Sequence, residues 1–263
     1  MLQEVVREPT SGTPAGMSDA EWALRVELAA AYRLVEHFGW TELIYAHLTA
    51  RVPGDENHFL INRWGLNYDE VTASNLVKID VDGKAIAPAD APVNYAGFVI
   101  HSAIHMTRSG QAHVVMHTHT PAGMAVAALE DGLLPISMFA SAFHGDELAY
   151  HDYEGASLYL DERERLVASL GRAKAMILRN HGLLVVGSTV AECFLRLYRL
   201  ERACQVQLAA AAAGKLRVLA QGLAAKSGAD LNAFQARLPE GEGQVEFDAL
   251  MRKLDRVDRS YRN

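Results

Sequence analysis

The chain has 263 residues, half of them hydrophobic, with a formal net charge of −7. This length can bury a large core in one domain, or in one domain with extensions. The acidic balance, with no block rich in lysine or arginine, argues against a nucleic-acid partner. No apolar run approaches the roughly 18 residues of a membrane span, and the N-terminus lacks a signal-peptide segment. We therefore expect a soluble, cytoplasmic protein with no membrane partner.

The chain begins with a stretch rich in proline, glycine and threonine, which predicts a disordered N-terminal tail over residues 1–17. Ser18 followed by Glu21 is a capping pattern that opens a helix, and Gly39 is expected to close it. Short strand patterns separated by turn residues then follow, over residues 45–52, 58–62, 77–81 and 85–87.

The second half of the chain alternates helix and strand patterns. The predicted order is a helix over about 96–109, a strand ending near residue 119, a helix after Pro121, an irregular or strand-rich stretch over 140–153, a helix near 160–170, two strands around Met176 and Leu184, and a long helix over 191–213. This order predicts an α/β fold, a three-layer α-β-α sandwich with a central, mainly antiparallel sheet flanked by helices.

The domain organisation follows from the same patterns. Residues 18–225 are expected to form one domain, and residues 226–263 a C-terminal extension that packs on a neighbouring subunit. The two cysteines, Cys193 and Cys204, lie about three turns apart on the predicted long helix, which is too far for a disulfide. We interpret both as buried apolar side chains, consistent with a reducing compartment.

The segment with most chemical information is the apolar run from Val114 that ends in His117-Thr118-His119. Side chains alternate along a strand, so the two histidines project from the same face, about 7 Å apart. That separation lets both imidazoles reach one divalent ion. Many His-x-His pairs are accidental, however, so the spacing alone leaves metal binding and coincidence open.

A third ligand has to come from the other histidines, of which the chain has 11 in total. His181 lies in an Asn180-His181-Gly182 break between two apolar runs, where a positive φ angle would present its ring at a tight turn. An ordinary hairpin turn is the alternative. His101 and His105 are four residues apart on a predicted helix, but they lack the glutamate usual beside such a zinc pair, so they could equally line the core.

Several blocks of sequence, in this order, resemble the class II aldolase/adducin family, and particularly its branch close to the adducin head domain. The resemblance covers about residues 20–220. The blocks are Ala46–Arg51, His58–Asn62 with Gly65, Asp69–Ser74, Ala96–His105, His117–Thr120, Tyr150–Gly155 and Arg179–Gly182.

This resemblance implies a catalytic metal site. In the sugar-phosphate aldolases of the family, the two His-x-His residues and the later histidine bind a catalytic zinc, and the matching residues here are His117, His119 and His181. We therefore expect one divalent metal per chain, Zn²⁺ first, with Fe²⁺ and Mn²⁺ as alternatives. The resemblance also implies a ring-like homotetramer with sites at the subunit interfaces.

The departures from the family pattern bear on the substrate. The sugar-phosphate aldolases carry a glutamate just before the helix that contains His101, and here that position falls at Gly97 or a neighbour without a carboxylate. Small polar residues of their phosphate site are replaced near Trp64 and Tyr95. Because a phosphate dianion needs several converging donors, we expect a non-phosphorylated substrate, although Arg63 and His47 could still pair with an anion.

Three histidines leave coordination positions open for a substrate, as in catalytic sites. A metal held in this way can stabilise the enolate formed when a C–C bond breaks. The leading hypothesis is therefore a metal-dependent lyase acting by retro-aldol cleavage or decarboxylation on a small oxo- or hydroxy-acid. Candidates for proton delivery are His47, Tyr95 and a residue from the neighbouring subunit's tail such as Tyr261; hydrogen bonding or packing is the structural alternative for His47 and Tyr95.

Two other functions remain open from the sequence. Three neutral histidines also suit ferrous iron, so a non-haem Fe(II) oxygenase acting on an aromatic 2-oxo or 2-hydroxy acid is one alternative. The other is a non-enzymatic scaffold like the adducin heads. We do not expect cytoskeletal binding, because the sequence shows no long lysine-rich C-terminal tail.

Overall fold

The computed structural model describes residues 12–107, 112–155 and 161–263, apart from the side chains of Tyr95 and Ala96. The first helix, α1, spans Asp19–His37, and the Ser18 hydroxyl accepts a hydrogen bond from the Glu21 N–H at 3.1 Å. Gly39 follows its C-terminus with a φ of 67°, a left-handed conformation that glycine adopts without strain. Both predicted ends of this helix are confirmed.

An eight-stranded sheet lies at the centre of the described structure. Its strands in chain order are β1 (His47–Arg51), β2 (His58–Ile61), β3 (Val77–Asp80), β4 (Ala85–Ala87), β5 (Val114–Thr118), β6 (Leu148–His151), β7 (Ala175–Leu178) and β8 (Gly182–Gly187). The spatial order is β4-β3-β2-β1-β5-β8-β7-β6. Only the β6–β7 pair is parallel among these strands, which confirms the mainly antiparallel sheet.

The remaining helices flank this sheet. They are α2 (Tyr95–Thr107), α3 (Pro121–Ala127), α4 (Met138–Ser141), α5 (Glu162–Leu170), α6 (Val190–Ala213), α7 (Gln221–Ala236) and α8 (Gln244–Val257). The stretch predicted as irregular or strand-rich holds the end of α4, a 3-10 turn at Gly145–Glu147 and strand β6.

Alternating side chains of the central strands divide the core into two layers. Val114 and Met116 of β5 pack in the cluster that contains the buried residues of α1 and α6. Val115, between them, packs in a second cluster with α2 and α5. The apolar run of β5 is therefore buried on both faces, as helices on both sides of a sheet require. The three-layer α-β-α sandwich is confirmed.

The two ends of the chain pack differently from what the sequence indicates. Residues 1–11 of the predicted N-terminal tail lie outside the described residues, whereas the Met17 N–H donates to the Pro14 carbonyl at 3.2 Å and Met17 packs on the core. Helix α8 packs on α1 and α6 of its own chain and buries Phe247 and Leu254. A contact of residues 226–263 with a neighbouring subunit stays a prediction.

Tyr261 follows α8 and is fully buried within its own chain, where its hydroxyl donates to Asp255 Oδ1 at 2.8 Å. The expectation that it serves a neighbouring subunit's site is therefore wrong, because its ring is part of this chain's core. Cys193 and Cys204 are free and buried, as predicted. Among the described residues, no helix is long and apolar enough to cross a membrane.

Candidate metal centre

Three histidines from two separate segments of the chain meet at one end of the central strands. His117 lies near the end of β5, His119 one residue beyond it, and His181 in the turn between β7 and β8. The Nε2 atoms of His117 and His119 are 2.7 Å apart, and those of His119 and His181 are 3.0 Å apart. The structure thus brings together all three residues that the sequence analysis proposed as metal ligands.

The local backbone explains how His181 reaches the strand. Asn180, one of the two residues of the break that suit a positive φ, has a φ of 56° and reverses the chain between β7 and β8. A Cβ atom on Gly182 would lie 2.5 Å from the Thr118 carbonyl oxygen, so only glycine allows β8 to approach the end of β5 this closely. The predicted positive φ is found at Asn180 and not at Gly182.

The donor atoms fit a divalent metal. The His117 Nδ1–H donates to the Leu183 carbonyl at 2.8 Å, which leaves Nε2 unprotonated and turned toward the other two rings. Burial lowers the pKa of His117 well below its usual range and that of His181 to about 4, with neighbouring histidines adding to both shifts. Neutral imidazoles that converge through Nε2 favour zinc or iron over Mn²⁺, which prefers oxygen ligands.

A cavity of about 890 Å³ opens above this cluster. Most of its other lining side chains are apolar or aromatic: Tyr45, Trp64, Val93, Ile100, Met124 and Tyr153. Polar groups are few and include Asn94, Asn180 and Glu42. Such a cavity suits a small molecule that carries an apolar or aromatic part beside the group that binds the metal.

Glu42 is the only carboxylate among the described residues that line the cavity. Burial lowers the pKa of His119, and the charge of Glu42 acts in the opposite direction. Glu42 belongs to no sequence motif and lies in the loop before β1, so the sequence does not single it out. The one local sign there, a φ of 50° at Leu43, is visible only in the structure.

His47, proposed as a catalytic residue, lies beside the cluster. It pairs directly with His117 across β1 and β5, and the two ring centroids are 5.0 Å apart. Its side chain is almost fully buried yet lines the cavity. Burial, followed by His101 and the cluster histidines, lowers the pKa of His47 well below its usual range. Tyr95, the other proposed catalytic residue, begins α2, but its side chain lies outside the described residues.

His101 and His105 take no part in the cluster and form a hydrogen-bonded chain behind His47. His47 Nδ1 is 3.0 Å from His101 Nε2, and His101 Nδ1 is 2.7 Å from Thr49 Oγ1. Thr49 Oγ1 is also 2.7 Å from His105 Nε2, and His105 Nδ1 is 2.8 Å from the Ala112 carbonyl. Both helix histidines are therefore buried polar groups within the core.

Comparison with known proteins gives a consistent picture. Residues 26–208 match the family model of the class II aldolase and adducin N-terminal domain. A protein of Caulobacter vibrioides, assigned by name to the class 2 aldolases, is 47% identical over 254 residues, covering 96% of this chain and 97% of its own length. Alpha-adducin of Rattus norvegicus is 44% identical over 251 residues, which cover 90% of this chain and 34% of the adducin.

Two solved structures share the fold over nearly the whole chain. An aldolase II superfamily protein from Pseudomonas syringae has a TM-score of 0.85 and 49% identity, covering 94% of this chain and 98% of the other. L-fuculose 1-phosphate aldolase from Glaciozyma antarctica has a TM-score of 0.79 and 30% identity, covering 97% of each chain.

Proposed function

The chain belongs to the class II aldolase/adducin family, and we propose that it is a metal-dependent lyase that cleaves a C–C bond, by retro-aldol cleavage or decarboxylation, in a small non-phosphorylated oxo- or hydroxy-acid. The observation that carries this proposal is the convergence of one ring nitrogen from each of three histidines, within 4.8 Å of one another, below a largely apolar cavity. His117, His119 and His181 would hold one divalent metal, with zinc as the first expectation. When bound, the metal supplies a Lewis acid that withdraws charge from the substrate's oxygen atoms.

The side chains around the cluster provide for proton transfer. His47 lies directly across the strand pair from His117 and lines the cavity, so its ring can accept or return a proton at the substrate. Glu42 is a second group of this kind, on the side of His119. Tyr95 is a third, and its place at the first residue of α2, close to Gly97, supports it.

The cavity lining supports a substrate without a phosphate group. No lysine or arginine is among the described residues that line the cavity. A phosphate dianion is usually bound by several charged or backbone donors that converge on its oxygens. The 30% identical L-fuculose 1-phosphate aldolase makes a phosphosugar the competing substrate class. Both classes therefore belong in the substrate screen.

We also propose a homotetramer in the cytoplasm with sites at the subunit interfaces. Tyr45 and Tyr153 line the cavity, and more than half of each side chain is exposed in the single chain. Apolar surface around a site is typical of a face that another subunit covers. The two free, buried cysteines are consistent with a reducing compartment.

The similarity to alpha-adducin favours a second candidate, a non-enzymatic binding module. The experiment that separates it from the lyase is elemental analysis of the purified chain beside His117→Ala and His181→Ala, followed by activity screening. His113→Ala is the matched control, because His113 lies just before the same strand and is exposed. We expect about one zinc per chain in the wild type and in His113→Ala, and loss of the metal in the other two variants.

The activity screen offers oxo-acids, hydroxy-acids and aldol adducts, with and without a phosphate group, and follows release of an aldehyde or CO₂. The lyase proposal predicts turnover that disappears in His47→Gln while the metal is retained. Iron in the site with oxygen consumption on an aromatic 2-oxo or 2-hydroxy acid would establish the oxygenase instead. If the folded wild type takes up neither zinc, iron nor manganese, both enzyme proposals are excluded and the non-enzymatic binding module remains.

A further inference from the structure

The proposed reaction needs an imidazole nitrogen that can accept a proton inside the cavity, and the residues behind His47 decide which nitrogen that is. We propose that Thr49, His101 and His105 form a buried positioning relay that fixes His47 in its Nδ1–H tautomer, with the Nε2 lone pair free at the cavity. The catalytic meaning of this relay rests on the proposed function, whereas the tautomer itself does not.

The relay has a defined starting point, because a backbone carbonyl can only accept a hydrogen bond. The Ala112 carbonyl lies 2.8 Å from His105 Nδ1, so that nitrogen carries the proton. In a neutral imidazole the other nitrogen is then an acceptor. His105 Nε2 therefore accepts from the Thr49 hydroxyl, which is 2.7 Å away.

The protons at Thr49, His101 and His47 are then fixed in turn. The Thr49 hydroxyl has one hydrogen, which is used on His105, so its oxygen can only accept from His101 Nδ1 at 2.7 Å. His101 Nε2 is then the acceptor for His47 Nδ1–H at 3.0 Å. Every contact of the chain is satisfied in this one direction, provided that all three rings are neutral.

Burial makes the neutral state of the three rings the favoured one. His47, Thr49, His101 and His105 are each at most 2% exposed. An imidazolium at any of these positions would have to leave water, which favours the neutral ring, and burial lowers the pKa of His105 to about 3. Hydrogen-bonded buried polar groups of this kind order one another and fix a single arrangement.

The orientation of the His47 ring decides which of its nitrogens a substrate in the cavity can reach. The atoms that a Cβ on Gly97 would meet are Cδ2, Cγ and Nδ1 of His47, so this edge of the ring faces α2. Nε2 is not among these three atoms, and no hydrogen bond from a described residue reaches it. A proton leaving a substrate O–H can therefore form an N–H bond at Nε2, with the O–H electron pair remaining on oxygen.

The test reads the tautomer directly by long-range ¹H–¹⁵N correlation spectra of the full chain labelled with ¹⁵N-histidine, in the metal-free and zinc-loaded forms. His47→Gln identifies the His47 signals by their loss. We expect the Nδ1–H pattern at His47 in the wild type and in Thr49→Ser, which keeps the hydroxyl. In Thr49→Val, which has nearly the same shape without it, we expect a mixture of tautomers.

The outcomes separate the relay from the lyase proposal. An Nε2–H pattern at His47 in the wild type would overturn the relay, and it needs no variant to fold. An unchanged His47 pattern in a folded Thr49→Val would overturn it as well. If the screen has found a substrate, Thr49→Val should lower kcat about a hundredfold at similar KM, with rescue in Thr49→Ser. If it has found none, the spectra still decide the relay.

Discussion

A Cβ atom placed on Gly97 would lie 2.8 Å from two ring carbons of His47. The space that a side chain at position 97 would take is therefore already filled by the imidazole. The resemblance to the sugar-phosphate aldolases implies a glutamate at or next to this position, and residues 95–99 of this chain hold no carboxylate. Here a titratable side chain from strand β1 reaches the same space, which supports His47 as the acid–base residue of the proposed site.

The contact between Gly97 and His47 predicts the effect of Gly97→Ala. Alanine raises helix propensity by about 1 kcal/mol over glycine, but the added methyl group must displace a ring that is hydrogen-bonded to His101. Overpacking of this kind costs about 1–3 kcal/mol, so we expect net destabilisation and loss of turnover. The free energy of unfolding in urea and the kcat of the variant measure the two effects.

The matched control is Gly222→Ala in α7, where a Cβ would meet nothing within 4 Å. There the gain in helix propensity has no opposing contact, so this variant should be as stable as the wild type or more stable. Equal effects of the two substitutions would show that the ring of His47 is not held against Gly97.

The approach of Gly182 to β5 predicts a loss of metal affinity in Gly182→Ala. The added Cβ would lie 2.5 Å from the Thr118 carbonyl oxygen and 3.2 Å from His119 Cδ2. Because a backbone oxygen cannot turn away, the turn that carries His181 has to move. We expect zinc binding to weaken by about 10–100-fold, the range found when groups that orient metal ligands are changed. Competition with a zinc chelator measures this, and an affinity equal to that of the wild type would contradict it.

The left-handed backbone at Asn180 predicts different effects of two substitutions on stability. Asn180→Gly keeps the φ of 56° without strain, so stability should change by no more than a few tenths of a kcal/mol. Asn180→Val places a β-branched side chain in this conformation, at a cost of about 1–3 kcal/mol. Thermal unfolding and zinc titration of both variants provide the comparison. A valine variant as stable as the glycine variant would refute the role of the turn.

The burial of His105 predicts that the stability of the chain depends on pH. Burial lowers its pKa to about 3 in the folded chain, against 6.5 for an ordinary histidine; Arg51 and His113 act in the same direction, and the bond to Ala112 opposes them. Between these values the unfolded chain holds the extra proton. The stability that this neutral ring contributes is therefore fully present above about pH 6.5 and is lost as the pH is lowered toward 3.

His105→Gln removes this titrating ring from the difference in bound protons between the folded and unfolded chains. The slope of the unfolding free energy against pH between 6 and 4 should then fall by up to about 1.4 kcal/mol per pH unit. Urea denaturation at several pH values measures the slope, which is separate from any loss of stability that the variant shows at pH 7. An unchanged slope would mean that His105 is already protonated in the folded chain.

The sequence by itself determined many of the helices and strands before residue 214 and the candidate metal ligands. Alternation along β5 places His117 on one face, capping residues and glycines mark the ends of α1, and the Asn180-His181-Gly182 break marks a turn. Each of these depends on a few neighbouring residues, whose backbone geometry is set locally. The ordered motifs also identified the family, which the comparisons show.

Only the tertiary structure decided how distant residues meet. The pairing of His47 with His117, the relay through Thr49, and the position of Glu42 at the cavity depend on strand order and helix packing. Short-range periodicity does not encode these contacts, since they join residues 50 or more positions apart and follow from how the two faces of the sheet are covered. The sequence therefore predicted which histidines come together, and the structure supplied their surroundings.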